Sequence, residues 1–366
     1  MKKILHLLPE LHGGGIERFL IIHLEALHNK YPQKYEHVIL KHVKKEGLLE
    51  KRFKNINCKI FRIPSKSENL ITFIFQYSMQ LWIHRPEIIH IHLTHSSWLA
   101  LIIGFFFRIK TRICHGHVFY NKEKPYQKIL NKFYLTLIKI FGNKFLCCSQ
   151  ETKDWMYGDF DNVQIIRNAL NVEKYKFNFY ARDKLRAKLG YSKNEFIIGN
   201  IGRFTKQKNH QFIIKIFSKC FSLNKNIRLM LVGEGHLLNS TKKLVSLMGL
   251  SKYVKFISVN DQISDYYQAM DLFLFPSNYE GLGIVGIEAQ ISGLPILMSD
   301  FLPKDLDLIN GLFFRESLSS SSMVWANRIL RLKNEKKIRD VDLSFIKNSG
   351  YCIKNNLEDL NKIYNV

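Results

Sequence analysis

The sequence predicts an α/β protein with two doubly wound domains that face each other across a cleft. Its 366 residues exceed the usual size of a single hydrophobic core, so two domains are the natural expectation. Short β-branched runs alternate with longer helical patterns along the whole chain, which is typical of parallel sheets built from βαβ units. A polar stretch without periodicity at residues 168–176 separates two such series, and we place the linker there.

Each strand is predicted from a short apolar run that a helical pattern or a turn follows. In the first domain these runs lie at residues 4–8, 37–41, 59–63, 88–92, 112–115 and 145–148, with helices such as 16–29 and 126–141 between them. In the second domain they lie at residues 196–199, 228–232, 254–257, 272–275 and 295–298. Ligands of such sheets bind outside the carboxyl ends of the strands, so the functional motifs are expected there.

Charge and composition narrow the functional classes. A hydrophobic content of 46% excludes wholesale disorder, and the formal charge of +24 implies an anionic partner such as nucleic acid, an acidic membrane or a phosphorylated substrate. In residues 1–150, 24 Lys and Arg residues stand against 9 Glu residues and no Asp, which gives this part a charge of +15. The six cysteines show no CxxC spacing, which favours a reducing cytoplasm over a zinc site or a disulfide framework. The apolar run 98–107 falls short of the ~18 residues that a membrane-spanning helix needs.

A glycine and several cations follow the first strand of the second domain. The segment 202–210 begins with Gly202 and Arg203 and contains Lys208, on a loop between a strand and a helix. A diphosphate binds well at such a place, because a helix N-terminus offers unpaired N–H groups and Arg offers a fork of donors. The position after a buried strand favours ligand contact over a solvated basic loop. Gly233, in a second strand-to-helix turn, is weaker evidence because glycines are common in such turns.

Two glutamates flank a glycine-rich turn at residues 276–289. Glu280 precedes the turn and Glu288 is predicted about one turn into a helix that begins near residue 284. Carboxylates suit hydroxyl-rich ligands, because they accept hydrogen bonds from sugar or ribose hydroxyls. The glycines bring backbone N–H groups close to a ligand. The turn and the start of the helix comprise Gly281, Leu282, Gly283, Ile284 and Val285.

The first domain carries weaker signals. Gly14 and Gly15 follow the first strand and precede a helix with Glu17, which allows a backbone contact to phosphate or sugar but lacks a clean GxGxxG fingerprint. His115 and His117 flank a glycine at the end of a strand, where a ligand contact and a core role are equally open. His90, His92 and His95 do not predict a metal site, because no carboxylate completes the set. Three DxD triplets are interpreted as loop and helix acids.

Together these motifs resemble those of the retaining GT-B glycosyltransferases of family 4, especially the bacterial enzymes of capsule, exopolysaccharide and O-antigen assembly. The resemblance implies two facing Rossmann-like domains with a cleft between them: an acceptor-binding domain at 1–170, a nucleotide-sugar-binding domain at 171–345, and a C-terminal helix at 346–366 that packs back on the first. It implies transfer of a hexose or N-acetylhexosamine from a nucleotide-sugar, with UDP favoured, to a lipid-linked glycan. No metal or other cofactor is expected.

The resemblance also implies residue roles. Arg203 and Lys208 match the diphosphate clamp, Glu288 the ribose contact and Glu280 the contact to the donor sugar. The resemblance also places the turn from Gly281 and the backbone N–H groups of residues 282–285 beside the sugar and phosphate. His117 best matches the family's active-site histidine, with His115 as the alternative. The clamp would stabilise the charge that develops on the leaving nucleoside diphosphate. We expect Arg203→Ala and Glu288→Ala to cripple transfer while leaving the fold intact.

The expected location is the inner face of the cytoplasmic membrane, on a polyprenyl-diphosphate-linked acceptor. Cations and aromatic residues interleave in the first domain, where each cation near an anionic leaflet contributes about 1 kcal/mol. Two other functions remain open: a nucleic-acid-binding protein, which the charge suggests but no recognition motif supports, and a GT-B sugar-nucleotide epimerase. We expect no nucleic-acid partner. The cations and aromatic residues of this segment are Phe105, Phe106, Phe107, Arg108, Lys110, Arg112, Phe119, Tyr120, Lys122, Lys124, Tyr126, Lys128 and Lys132.

Overall fold

Two compact units make up the chain. A computed structural model describes residues 1–11, 14–47, 49–117, 125–258, 263–280, 283–335 and 339–365. Residues 1–170 and 348–366 form the first unit, and residues 171–347 form the second. Each unit is built around its own parallel sheet.

The first unit contains a seven-stranded parallel sheet in the order β3-β2-β1-β4-β5-β6-β7. Its strands are β1 (Lys2–Leu8), β2 (Tyr35–Lys41), β3 (Lys59–Arg62), β4 (Ile88–Ile91), β5 (Thr111–Gly116), β6 (Lys144–Cys147) and β7 (Gln164–Ile165). The helices between them are α1 (Gly15–Lys30), α2 (Glu50–Asn55), α3 (Leu70–His84), α4 (Trp98–Phe106), α5 (Pro125–Phe141) and α6 (Gln150–Tyr157).

The second unit contains a six-stranded parallel sheet in the order β10-β9-β8-β11-β12-β13. Its strands are β8 (Phe196–Ile201), β9 (Ile227–Val232), β10 (Val254–Ile257), β11 (Leu272–Phe275), β12 (Ile296–Ser299) and β13 (Phe313–Glu316). Its helices are α7 (Val172–Tyr175), α8 (Phe179–Lys188), α9 (His210–Leu223), α10 (Leu238–Leu247), α11 (Ile263–Ala269), α12 (Ile284–Ile291) and α13 (Ser322–Asn334).

Two helices complete the chain. Helix α14 (Ser344–Asn348) spans the boundary between the units, and α15 (Ile353–Tyr364) packs against α1 in the first unit. The apolar residues of α15, Leu357, Leu360 and Ile363, join the core on the α1 face of the first sheet. The C-terminal segment is therefore a structural part of the first unit.

The predicted fold class is confirmed: both domains are doubly wound parallel sheets, and each of the eleven predicted strands overlaps an observed one. The sequence missed β7, which is only two residues long, and β13, an edge strand whose Arg and Glu interrupt the apolar run. The stretch assigned to the linker contains the short helix α7. Among the described helices, none is long and apolar enough to cross a bilayer.

Candidate functional site

Three loops meet at the carboxyl edge of the second sheet, where β8 lies between β9 and β11. The loop after β8 is fixed to the loop after β9, because the Gly202 amide donates to the Val232 carbonyl (3.0 Å) and the Phe204 amide to the Glu234 carbonyl (2.8 Å). A Cβ on Gly233 would lie 2.0 Å from the Gly202 carbonyl oxygen, so only glycine allows this approach. Gly233 therefore allows the loop after β9 to pack against residues 202–210, the loop after β8 that carries the predicted diphosphate clamp and is called the clamp loop below.

Lys208 and Glu280 are brought together by the loops after β8 and β11. The Lys208 ammonium donates to Glu280 Oε1 at 2.7 Å, and the Gln207 side-chain amide lies 3.3 Å from Glu280 Oε2. The Lys208 side chain is 13% exposed and that of Glu280 is 6% exposed. Gly202 makes room for the Lys208 stem, which lies 3.2 Å from where a Cβ would be. Because an ammonium has three N–H donors and Glu280 takes one, this group can also bind an anion.

The rest of the clamp loop divides into an exposed and a buried part. Arg203 is exposed. Asn209 has a left-handed backbone conformation (φ 55°) and immediately precedes α9. His210 stacks on Phe204 with ring centroids 4.0 Å apart, and burial lowers its pKa to about 3. The sequence did not single out Asn209 or His210. The signal that could have marked Asn209 is its position as a polar residue between a cationic loop and a helix.

Glu288 lies deeper than the sequence suggested. It is fully buried on α12, and its two carboxylate oxygens accept from Tyr175 Oη (2.8 Å) and Tyr267 Oη (2.6 Å). Glu288→Ala would remove this acceptor from two buried phenols, so we expect the variant to lower stability as well as activity. The two tyrosines hold this carboxylate in one orientation. The sequence did not predict either tyrosine, and nothing local marks them as partners.

The glycine-rich turn was predicted to bring backbone N–H groups close to a ligand, and helix α12 begins at this turn. Gly283 precedes it with φ 66°, and a Cβ there would lie 3.1 Å from Leu306. Ile284 and Val285 form its first turn, whose N–H groups lack intrahelical acceptors in any helix. Gly281 and Leu282, also predicted to contact ligand, lie outside the described residues.

The glycines of the first unit begin α1. Gly14 is the N-cap residue and Gly15 the first helical residue. The Glu17 carboxylate folds over this end, 2.6 Å from where a Cβ on Gly14 would lie. A carboxylate already at a helix N-terminus opposes a second anion. The site therefore suits a hydroxyl better than the phosphate that the sequence left open.

Six buried imidazoles share one face of the first sheet. His6 on β1 pairs in register with His90 on β4, and histidines two residues apart at the ends of β4 and β5 project to the same face. Phe19 on α1 packs against the rings of His115 and His117. The six are His6, His37, His90, His92, His115 and His117.

Four of these rings form a continuous hydrogen-bonded chain. His37 Nδ1 lies 3.1 Å from His6 Nε2. His6 Nδ1 lies 3.4 Å from His92 Nε2, and His92 Nδ1 lies 2.9 Å from His117 Nε2. The chain ends at His117 Nδ1, a buried atom for which the described residues offer no hydrogen-bond partner.

A second, shorter chain begins on α15. The Tyr364 hydroxyl lies 2.8 Å from His90 Nδ1, and His90 Nε2 lies 3.1 Å from His115 Nδ1. His115 Nε2 ends this chain, again buried and without a partner in the part of the chain that the structure describes. Both histidines that the sequence singled out therefore end a hydrogen-bonded chain.

Burial keeps these rings neutral. Desolvation lowers the pKa of His37 and of His117 to about 3. It also lowers the pKa of His6, His90 and His115 well below the ordinary value. Neutral imidazoles are also metal ligands, and two trios have ligand atoms within 4.8 Å of one another: His6 with His90 and His92, and His92 with His115 and His117.

The histidines that lie close enough to hold a metal are therefore not the set that the sequence suggested. His95, which the sequence grouped with His90 and His92, packs edge-on against Trp155 with ring centroids 4.8 Å apart. Of the DxD acids, Asp307 pairs with Arg315 and Asp342 binds Ser344.

Two family descriptions match the chain. "Glycosyltransferase Family 4" covers residues 13–174, and "Glycosyl transferases group 1" covers residues 181–339. The first match falls on the unit with the histidine chains, and the second on the unit with Lys208, Glu280 and Glu288.

Individual glycosyltransferases are similar to the whole chain or to part of it. The chain is 26% identical to the capsular polysaccharide biosynthesis glycosyltransferase CapH of Staphylococcus aureus, over 100% of this chain and 99% of CapH. It is 25% identical to the UDP-Gal:alpha-D-GlcNAc-diphosphoundecaprenol alpha-1,3-galactosyltransferase of Escherichia coli, over 58% of each chain. Its structure resembles that of Anabaena HepE in complex with UDP and glucose, with a TM-score of 0.80, 17% identity and 99% of both chains covered. At that identity the last likeness establishes the fold.

Proposed function

Because the chain is a GT-B glycosyltransferase of the group 1 and family 4 type, we propose that it transfers a hexose or N-acetylhexosamine from a UDP-sugar to a lipid-linked glycan, with retention of anomeric configuration. The product would belong to a bacterial surface polysaccharide, as the name of CapH indicates for that relative.

The observation that carries the proposal is the Lys208–Glu280 pair at the carboxyl edge of the second sheet. Breaking a bond between a sugar and a nucleoside diphosphate places negative charge on the leaving phosphate. Lys208, with Arg203 beside it on the loop, would stabilise that charge, and Glu280 would accept from a donor-sugar hydroxyl. Preoriented cations in a site with little water are effective in this role. Glu288 would bind the ribose, with its carboxylate oriented by Tyr175 and Tyr267.

The donor is identified by a binding screen. Each nucleotide sugar is tested for thermal stabilisation, since a ligand present at a hundred times its Kd stabilises the folded state by about 2.7 kcal/mol. We expect UDP and UDP-sugars to raise the melting temperature and GDP-sugars to leave it unchanged. Stabilisation by no nucleotide sugar would contradict the proposed donor class.

The acceptor is proposed to bind the first unit. A cavity of about 480 Å³ opens near the carboxyl end of β4, a size usual for small-molecule sites. Its lining combines aromatic rings with amides, a combination that suits the apolar faces and hydroxyls of a sugar. These residues are Tyr126, Tyr134, Trp155, Gln127 and Asn131. The diphosphoundecaprenol acceptor in the name of the Escherichia coli relative supports a polyprenyl-diphosphate carrier.

We also propose that the protein binds an anionic membrane face through α3, α4 and α5, at the inner face of the cytoplasmic membrane. Helix α4 packs against both other helices. Large exposed apolar groups with cations beside them are typical of helices that lie in a membrane interface. This membrane-facing surface comprises Ile71, Phe75, Trp82, Phe105, Phe106, Ile129 and Phe133 with Arg108, Lys128 and Lys132.

The sequence assigned one cation to this surface wrongly. Arg112 donates to the carbonyl oxygens of Phe141 and Ile109, so it stabilises the fold instead of facing a membrane. Phe119, Tyr120, Lys122 and Lys124 lie outside the described residues.

Vesicle sedimentation tests the membrane proposal. We expect binding to vesicles that contain anionic lipid, weakening as salt rises. The double variant Phe75→Asp with Trp82→Asp should lose most of it. Leu247→Asp is the matched control, because Leu247 is equally exposed but lies in the second unit. Equal partitioning to neutral and anionic vesicles, or to neither, would contradict the proposal.

The transfer is further proposed to need no metal cofactor, because Lys208 and Arg203 supply the positive charge beside the diphosphate. Activity should persist in excess EDTA. Full loss that Mn²⁺ or Mg²⁺ restores would assign the charge stabilisation to a metal instead.

A further inference from the structure

Lys66 is a half-buried lysine whose ammonium group lies over two aromatic rings of the first unit. It belongs to the loop between β3 and α3, at the carboxyl edge of the first sheet. Its Nζ lies 5.1 Å from the ring centroid of Trp98, the first residue of α4, and 5.5 Å from that of Tyr134 on α5. The two rings are stacked with their planes 4° apart, so the cation lies against one continuous aromatic surface.

The part of the chain that the structure describes offers this ammonium no anion and no hydrogen-bond acceptor. An ammonium has three N–H donors, and a cation that is partly removed from water is normally paired. Lys41 and Lys208 follow this rule, since each pairs with a glutamate. Glu68, the acid nearest to Lys66 in sequence, is instead bound to the Arg62 guanidinium at 2.8 Å. Burial lowers the pKa of Lys66, which reflects the cost of holding this charge without an anion.

The aromatic surface under Lys66 continues into the cavity of about 480 Å³ that is proposed to bind the acceptor. Tyr134 belongs to both, because its ring lies beneath the ammonium and also lines the cavity. Trp98 adds a second donor in this neighbourhood: its indole Nε1 is buried and has no hydrogen-bond partner among the described residues. Two donors without acceptors beside one cavity indicate a ligand that is rich in acceptor oxygens.

The face of α5 that lines the cavity borders the apolar face that is proposed to lie on the membrane. Leu130 and Tyr134 line the cavity four residues apart, so they belong to one stripe of the helix. Ile129 and Phe133 form the neighbouring stripe and are 72% and 58% exposed. A ligand with a charged group at Lys66 can therefore extend an apolar chain along α5 toward the bilayer.

We propose that Lys66 binds a phosphate group at the edge of this cavity, and that this phosphate belongs to the diphosphate of a lipid-linked acceptor. A diphosphate supplies both the negative charge and the oxygen acceptors that the ammonium lacks. The glycan of the acceptor would then lie in the cavity, and its lipid would follow the exposed face of α5. The assignment to the acceptor rests on the proposed glycosyl transfer, whereas binding of a phosphate at Lys66 does not.

Phosphate binding is measured first, without sugar transfer, by calorimetric titration with farnesyl diphosphate, a short prenyl diphosphate. We expect Lys66→Met to weaken this binding about tenfold or more, and Lys66→Arg, which keeps the charge, to retain most of it. Lys139→Met is the matched control and should bind as the wild type does. The Lys139 ammonium also lies over a ring, 4.4 Å from the centroid of Phe160, but it is exposed and outside the cavity lining. No binding to the wild type, or equal binding by Lys66→Met, would overturn the proposal.

Two further measurements exclude a structural role and a membrane phosphate. A structural role predicts that Lys66→Met lowers the melting temperature. The proposal predicts no loss, because Met keeps the contact with the rings and removes a charge that burial opposes. Vesicles that contain anionic lipid should sediment Lys66→Met and Lys139→Met equally. A lower melting temperature of Lys66→Met would overturn the proposal, and so would loss of vesicle binding by this variant, which would assign the phosphate to a lipid headgroup.

Transfer assays then test whether the phosphate is that of the acceptor. Lys66→Met should raise KM for a diphosphate-linked acceptor about tenfold while kcat changes less than about twofold, and KM for a neutral acceptor with the same glycan should stay unchanged. An equal rise in KM for both acceptors would contradict the diphosphate contact. If the wild type transfers no sugar, the proposed function fails, whereas the difference between Lys66→Met and Lys139→Met in binding farnesyl diphosphate still supports the phosphate site.

Discussion

Lys208 and Glu280 meet where little water reaches them, and this limits how each can act. Removing one partner of such a pair leaves a charge that burial opposes, and the cost is commonly 3–5 kcal/mol when burial is complete. Glu280 keeps the Gln207 side-chain amide as a partner, so the loss should appear in ligand binding and catalysis as well as in folding. The pair therefore holds Lys208 ready for an anion and Glu280 ready for a hydroxyl.

Lys208→Met should lower kcat/KM by about a hundredfold or more, because one preoriented cation contributes on the order of 3 kcal/mol to the transition state. Lys206→Met is the matched control, since Lys206 lies in the same turn but is exposed, whereas Lys208 is largely buried against Glu280. The measurement is steady-state transfer together with the thermal shift that UDP causes. Near-normal activity of Lys208→Met with an intact UDP response would show that the clamp is assigned wrongly.

At this scale the sequence predicted residues that lie at the carboxyl ends of strands and missed partners that no local pattern marks. Lys208 and Glu280 were predicted because each follows a strand of one sheet, and carboxyl ends of parallel strands meet at one edge. The partners of Glu288 could not be predicted, because Tyr175 is 113 residues away and only the tertiary fold joins them. The histidine chains had a signal that was overlooked: two H-x-H repeats place four rings on one face of a sheet.

The loops after β8 and β9 act as one element, because backbone contacts join them at the glycines. Gly233→Ala should lower the free energy of unfolding of the second unit by more than about 2 kcal/mol, since the new Cβ would overlap the Gly202 carbonyl oxygen and force the backbone to move. It should also weaken binding of UDP, because the clamp loop is displaced. Gly249→Ala is the control: its φ of 67° strains the backbone, but no atom lies within 4 Å of its Cβ position. Equal destabilisation of the two variants in urea would mean that the loops do not support each other.

Strands were predicted well because their apolar runs are buried on both faces, as parallel sheets require. The exceptions are elements at the edges. Strand β13 is half-buried throughout, so its sequence can hold charges and loses the apolar signal. Helix α7 is too short for periodicity to reveal it, yet it contains Tyr175, whose hydroxyl donates to the Glu288 carboxylate.

At the scale of the whole molecule, the formal charge of +24 and the buried histidines both destabilise the folded state as pH falls. Acidification adds positive charge to a chain that is already strongly basic, which opposes the compact state. It also protonates histidines more readily in the unfolded chain than in the first unit, where burial disfavours the charged form. The second effect is local to one unit, so the units should differ in acid stability.

We therefore expect the first unit to lose stability as pH falls below about 6.5. The folded pKa of its buried histidines is depressed, so their contribution is fully present above the unfolded value of about 6.5 and is lost progressively as pH falls toward about 3. At pH 5.5 each histidine that stays neutral in the folded state lowers the free energy of unfolding by about 1.4 kcal/mol relative to neutral pH. Several such histidines together approach the ~5–15 kcal/mol that stabilises a typical protein. The histidines concerned are His6, His23, His37, His90, His92, His115 and His117.

Hydrogen exchange read by mass spectrometry separates the two units in one experiment, with rates corrected for the intrinsic effect of pH. Peptides from β1, β4 and β5 should lose protection between pH 7.5 and 5.5, whereas those from β8, β9 and β11 serve as the internal control. Among the described residues of the second unit, His210 is the histidine whose pKa burial lowers, so that unit should respond much less. Protection that falls equally in both units would attribute the effect to overall charge, and protection that stays constant in the first unit would mean that its imidazoles are already charged or solvated at neutral pH.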